Sequence, residues 1–261
     1  MGLKVRILGC GGNIGFKNQS TCLMCFCGDL NEETKVALID GGTGIIRLKE
    51  KEIPMIKDVV LTHAHIDHTC GISLLVESFY NDQLIQVCKP TLHCSHIVLE
   101  QLNDSIFKKG IWMNLIEKGF MTFQSIEDGE QCVLSNGITI TAVKCLHSVL
   151  TLGYIISNKT SAFAFTGDTT YYEPFWKRIS EEPKLKGVIC EVSLSNELEE
   201  RALISNHMTP KMLQEGIKHL LPGIKVYATH IKSYSYYKVI EQLKDLDREI
   251  IVLEDEMVLE F

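Results

Sequence analysis

Four metal-binding side chains occupy six positions in His63-Ala64-His65-Ile66-Asp67-His68. Imidazole and carboxylate at that density are costly to bury unless something satisfies them, and a divalent cation does so. The cluster follows Asp58-Val59-Val60-Leu61-Thr62, whose short β-branched run suits a buried strand, and Gly71 comes soon after. No two His stand four apart, as a helical zinc signature requires, so the spacing predicts a turn at a strand end. The bland competitor is a surface loop that merely happens to be His-rich.

Three more candidates stand just past apolar strands: His147 after Ile138–Leu146, Asp168 after Ala162–Gly167, and His230 after Val226–Thr229. Strand ends that deliver side chains to one edge are how layered α/β folds build sites. His63, His65 and His147 with Asp168 would form one metal site. Asp67, His68 and His230, sharing Asp168, would form a second. Two ions about 3.5–4 Å apart would then share a hydroxide as nucleophile. The donors suit zinc first, with manganese or iron also open.

Asp40, ending a strand before two glycines, is placed to orient a ligand His, although a turn-forming Asp explains it about as well. His207 differs, because it precedes a helix start in Ser205-Asn206-His207-Met208-Thr209-Pro210. There it could contact an anion or protonate a leaving oxygen; the alternative is an exposed loop His.

These residues need a scaffold. Strand patterns fall near 3–9, 20–27, 35–40, 58–62, 84–88, 137–145, 152–157, 161–166, 187–192, 224–229 and 249–253. Helical patterns fall near 43–50, 70–78, 95–107, 172–181, 210–221 and 235–246. Thr209 as N-cap with Pro210 at the first helical position is a clear start signal. Strands with interspersed helices predict sheets with helices packed outside, in one domain over 1–261.

At 45% hydrophobic with no 18-residue apolar run, the chain is expected to build a core and not to span a membrane. Ten cysteines and no secretory pattern predict reduced thiols in the cytoplasm. A net charge of −7 without a basic stripe, Lys108-Lys109 and Lys184-Leu185-Lys186 being its densest basic spots, makes nucleic acid an unlikely partner. A small anion remains compatible, since bound metal would dominate the local field.

Other motifs read more plainly. Gly9-Cys10-Gly11-Gly12 lacks the phosphate-cradling spacing and suggests close backbone approach or positive φ, as Gly15 and Gly41-Gly42 do. Cys22, Cys25 and Cys27 lie in an apolar run, which favours packing over a structural zinc or redox pair. His93 and His96 fit a strand-to-helix transition, and His219 an ordinary helix position.

His63-x-His65-x-Asp67-His68, His147, Asp168 and His230 together resemble the metallo-β-lactamase-fold hydrolases. The resemblance implies the α/β fold class as an αββα sandwich: two mixed sheets face to face, helices on both outer faces, the site at one edge. Asp rather than Cys at position 168 is similar to the phosphodiesterase and ribonuclease Z branches. Further blocks resemble class II 3′,5′-cyclic-nucleotide phosphodiesterases. These are Leu8–Gly12, Ser105–Phe107, Gly110–Trp112, Phe165–Thr169, Lys184–Lys186, Glu191–Ser193 with Asn196, His207–Pro210 and Thr229–Lys232. Ile66, Thr69, Ser73 and Asn206 depart from that group's usual residues, and none of them removes a ligand.

The resemblance implies a metal-dependent hydrolase opening a small cyclic phosphodiester, 3′,5′-cAMP first or cGMP, to the 5′-monophosphate. Asp67 and His207 would be its catalytic residues, two divalent ions its cofactors, and a homodimer a common form. A ribonuclease Z-like RNA phosphodiesterase is the alternative, sharing His-x-Thr at His207 to Thr209. The acidic balance and the lack of a basic, Gly-rich arm count against it. A non-catalytic metal-dependent nucleotide binder is the third reading.

Overall fold

The computed structural model describes residues 1–13, 17–79, 89–107 and 111–261. The strand expected at 84–88, Lys108-Lys109, Gly15 and Gly110 lie outside them. The first half supplies β1 (Leu3–Gly9), β2 (Cys22–Cys27), β3 (Val36–Ile39), β4 (Ile56–Val60), β5 (Thr91–Cys94) and β6 (Thr122–Ser125). The second supplies β7 (Gln131–Val133), β8 (Thr139–Cys145), β9 (Thr151–Ser157), β10 (Ala162–Phe165), β11 (Leu185–Glu191), β12 (Lys225–Thr229), β13 (Ile250–Val252) and β14 (Val258–Glu260). The helices are α1 (Ile66–Thr69), α2 (Ile72–Ser78), α3 (His96–Ser105), α4 (Glu173–Ser180), α5 (Glu199–Ser205), α6 (Pro210–Ile217) and α7 (Tyr236–Leu243).

Two seven-stranded mixed sheets result, ordered β14-β1-β2-β3-β4-β5-β6 and β13-β12-β11-β10-β9-β8-β7. The β3-β4-β5-β6 and β10-β11-β12-β13 ladders are parallel. The other ladders are antiparallel. Each half thus repeats one plan, and the C-terminal ends of the parallel strands reach one edge.

Three apolar layers hold this together. Leu3, Val5, Ile7, Ile140, Phe163 and Tyr227 are among those filling the space between the sheets. Met24, Leu38, Ile56 and Val59 pack outward against Leu75, Val98 and Leu102 of α2 and α3. Val188, Cys190 and Val226 do so against Trp176, Leu213 and Val239 of α4, α6 and α7. The expected αββα layering is what forms.

Strand periodicity also settles the CxxC motif. Cys22 and Cys25 are three apart on β2, so they point to opposite faces, one into each apolar layer. Two thiols on opposite faces cannot share an ion. A protein with Cys22→Ser and Cys25→Ser is expected to bind as much zinc per chain as the parent; metal lost from that variant would reinstate a thiolate site.

Some elements differ from expectation. The segment 43–50 forms two 3-10 turns, Thr43–Arg47 and Glu50–Met55, instead of a helix. The helix expected at 70–78 is preceded by the separate turn α1, which carries Asp67 and His68. The expected strand ranges left out β5, β6, β7 and β14, and the helix ranges left out α5. β6, β7 and β14 are three- or four-residue edge strands with exposed alternate positions, and α5 opens on Glu199-Glu200-Arg201. His93 does not chelate: it is buried on β5 with Nε2 2.8 Å from Asp58 Oδ1. His219 lies just past α6, 3.2 Å from the Tyr171 hydroxyl.

Candidate metal centre

The ends of β4, β8, β10 and β12 deliver His63, His147, Asp168 and His230, while His65, Asp67 and His68 come from the turn after β4. Glycines let these loops close on one another. A Cβ on Gly12 would strike the His230 carbonyl oxygen, and one on Gly42 the Asp67 carbonyl oxygen. The N-terminal Gly motif therefore serves close approach. Asp40, Asn206 and His230 all hold positive φ, at 57°, 52° and 59°, an uncommon conformation for non-glycine residues.

All seven expected ligands come together, in two groups that share Asp168. Donor atoms of His63, His65, His147 and Asp168 lie within 4.8 Å of one another, as do those of Asp67, His68, Asp168 and His230. Asp168 Oδ1 is 3.3 Å from His68 Nε2. Its Oδ2 is 3.8 Å from His63 Nε2, 4.0 Å from His147 Nε2 and 3.4 Å from His230 Nε2.

The outer hydrogen bonds fix which ring nitrogens face inward. Asp40 accepts from Thr62 N at 2.8 Å and from the Thr62 hydroxyl, which in turn accepts from His63 Nδ1 at 2.9 Å. Asp40 also takes the His68 Nδ1–H at 2.7 Å. The Asn206 carbonyl receives His147 Nδ1–H at 3.0 Å. Ser193 Oγ donates to Glu191 at 2.7 Å and accepts from His230 Nδ1 at 3.0 Å. Four Nε2 lone pairs are thereby aimed at one space.

Lone pairs aimed at lone pairs repel unless something positive lies between them. His68 Nε2 is 3.2 Å from His230 Nε2, and His147 Nε2 is 3.2 Å from His65 Nδ1. His63 Nε2 and Asp168 Oδ1 are buried with no hydrogen-bond partner. Orphaned buried atoms of this kind call for an explanation, and the donor set fits divalent cations.

The electrostatics agree for three of the histidines and differ at His68, which would carry a proton at Nε2 unless a cation takes its place. Burial holds His63, His65 and His230 below the ordinary imidazole pKa, so they stay neutral and keep their lone pairs. Burial also disfavours a charge on His68, but Asp168 and Asp40 outweigh it and raise its pKa well above the usual value. Burial would raise Asp168, yet His230 and His68 hold it well below the carboxylate range.

Asp40 is therefore hydrogen-bonded to Thr62 and His68 and does more than close a turn. Asp40→Ala is expected to weaken metal binding about 10–100-fold, measured by competition with a chromogenic chelator. Unchanged affinity would leave Asp40 a purely structural role.

His207 sits beside the cluster, not in an open loop. Its ring centroid is 5.0 Å from that of His147 and 5.5 Å from that of His230. Its Nδ1 is 2.7 Å from Glu191 Oε1. Burial opposes a charge there, but Glu191 more than compensates and lifts the His207 pKa.

Glu191 itself was missed as a site residue, although it ends β11 just as His230 follows β12. It is fully buried and accepts from Thr169 N, Ser193 N, Ser193 Oγ and Met208 N. Thr62 was missed as well. Its signal, a hydroxyl directly before His63, is too common to single out.

A sequence profile described as the beta-lactamase superfamily domain matches residues 37–231, about three quarters of the chain. The chain belongs to the beta-lactamase superfamily. Among curated proteins, a probable 3′,5′-cyclic-nucleotide phosphodiesterase of Yersinia pestis is 26% identical over 209 residues, covering 68% of this chain and 57% of that protein. A ribonuclease Z of Phocaeicola vulgatus is 25% identical over 164 residues, 60% of this chain and 49% of that one. The chain thus matches about half of these relatives' length. Unliganded yeast PDE1 superposes with a TM-score of 0.86 at 16% identity, covering 100% of this chain and 99% of that one. YhfI of Bacillus subtilis, a metallo-beta-lactamase fold protein, superposes with a TM-score of 0.80 at 17% identity, covering 100% of both chains, so this superfamily member has the metallo-β-lactamase fold across its two mixed sheets.

Proposed function

We propose that the chain is a dinuclear metal-dependent phosphodiesterase that hydrolyses a 3′,5′-cyclic nucleotide to the 5′-monophosphate. The observation that carries this reading is the convergence of imidazole lone pairs on the doubly shared Asp168, with a paired His207 alongside. His63, His65, His147 and Asp168 would hold one ion; Asp67, His68, His230 and Asp168 the other. Bound there, two divalent ions, zinc first, supply Lewis acidity toward phosphoryl oxygens and lower the pKa of water.

The protein's own groups do the rest. Asp168 and Asp67 set the negative charge that the cluster presents. His207, with Nδ1 paired to Glu191, holds a proton at Nε2 and is placed to give it to the departing 3′-oxygen. The Yersinia relative's name supports the substrate class. Cytoplasmic location belongs to the same proposal, and the nine free cysteines among the described residues are compatible with it. No helix among those residues is long and apolar enough to cross a membrane.

A ribonuclease Z-like reading stands second because one curated relative bears that name. Zinc- or manganese-loaded protein is expected to convert 3′,5′-cAMP to 5′-AMP and to leave a 3′-extended precursor tRNA intact. Cleavage of the tRNA without turnover of the cyclic nucleotide would reverse that order.

A further inference from the structure

Ser193 links a histidine of the metal cluster to the carboxylate that holds His207. Its hydroxyl is fully buried and carries a single proton. Glu191 Oε2 lies 2.7 Å away and the neutral His230 carbonyl 3.1 Å away, so the shorter, charged acceptor takes that proton. The oxygen then has only lone pairs to offer to His230 Nδ1 at 3.0 Å and His207 Nδ1 at 3.2 Å. His207 Nδ1 has a nearer acceptor in Glu191 Oε1 at 2.7 Å, which leaves Ser193 to His230. Backbone pairing sets this contact. Glu191 stands opposite Thr229, and Val192 N to Thr229 O with Lys232 N to Ser193 O continue the pairing past both strand ends.

The first half of the chain repeats the wiring. Asp40 accepts the Thr62 hydroxyl at 2.9 Å, and that hydroxyl accepts from His63 Nδ1 at 2.9 Å. Each buried carboxylate also holds a second histidine directly, His68 for Asp40 and His207 for Glu191. Resting on the dinuclear reading, we propose that Ser193 is a positioning residue for the second metal ion, relaying the Glu191 charge to His230 while the same carboxylate holds His207. The chain keeps the His230 proton on Nδ1 and strengthens Nε2 as a ligand, with no proton moving along it. The outer bonds of His63 and His147 go to Thr62 and Asn206, so the first donor group does not depend on Ser193. One carboxylate thereby serves both the second ion and the proton donor.

The test titrates metal-free parent and Ser193→Ala with zinc against a chromogenic chelator and reads two affinities per chain. Ser193→Ala is expected to weaken one of them about 10–100-fold and to leave the other at its parental value. Glu191 keeps Thr169 N, Ser193 N, Met208 N and His207 in that variant, so the fold should hold. Nitrogen-15 spectra of the metal-free proteins read the ring directly. His230 should carry its proton on Nδ1 in the parent and shift toward the Nε2 form in Ser193→Ala. Two affinities both unmoved, or both weakened alike, would overturn the relay and leave the dinuclear reading intact. So would a His230 proton found on Nε2 in the parent, whatever the variant does. A parent that binds only one zinc would overturn both.

Discussion

Asp168→Asn is expected to lose both metals and roughly 10³-fold or more of cyclic-nucleotide turnover. Asn keeps the shape of Asp but turns one ligand oxygen into an NH₂ group that cannot accept an ion. No other expected ligand belongs to both donor groups, so this change alone reaches both sites. It also removes the counter-charge that helps raise the His68 pKa. Metal content by mass spectrometry under native conditions, read beside turnover, checks this. Full metal content with near-parental turnover would remove Asp168 from the bridging role.

His207→Ala is expected to behave differently, keeping both metals and losing about 10²–10⁴ in kcat. His207 stands outside both four-residue groups, so its loss exposes no ligand. Glu191 stays satisfied in the variant, because four donors from Thr169, Ser193 and Met208 remain. The fold around β11 should therefore hold, and the loss should appear in kcat more than in KM. His207→Ala with parental turnover would reduce His207 to packing against His147 and His230.

The contrast between these variants mirrors what could be read in the sequence. His63, His147, Asp168 and His230 were legible because each follows an apolar strand, and strand ends of a layered sheet share an edge. β10 reads as an unbroken apolar run, whereas β8 alternates through Thr139, Thr141 and the exposed Lys144. β6, β7 and β14 were not legible, because short edge strands keep polar residues on their open sides.

The supporting network was only half visible. Asp40 showed itself by its place before two glycines, yet its grip on Thr62 and His68 depends on a left-handed backbone that the sequence does not announce. Glu191 ends an apolar strand like the ligands do, but it serves His207, Ser193 and two backbone N–H groups on the far side of the cluster. That assignment needs the parallel pairing of β11 with β12, which sets Glu191 opposite Thr229. His207 was singled out from the helix start at Thr209-Pro210, and the cap forms as expected, with Thr209 Oγ1 accepting from Met212 N at 3.4 Å.

The central claim, that two ions act together in one site, is tested most directly by titrating metal-free protein with zinc while following hydrolysis of a 3′,5′-cyclic nucleotide. Activity should climb to a plateau at two zinc ions per chain, with His63→Ala inactive throughout. A plateau at one ion per chain, or turnover in the metal-free protein, would contradict it.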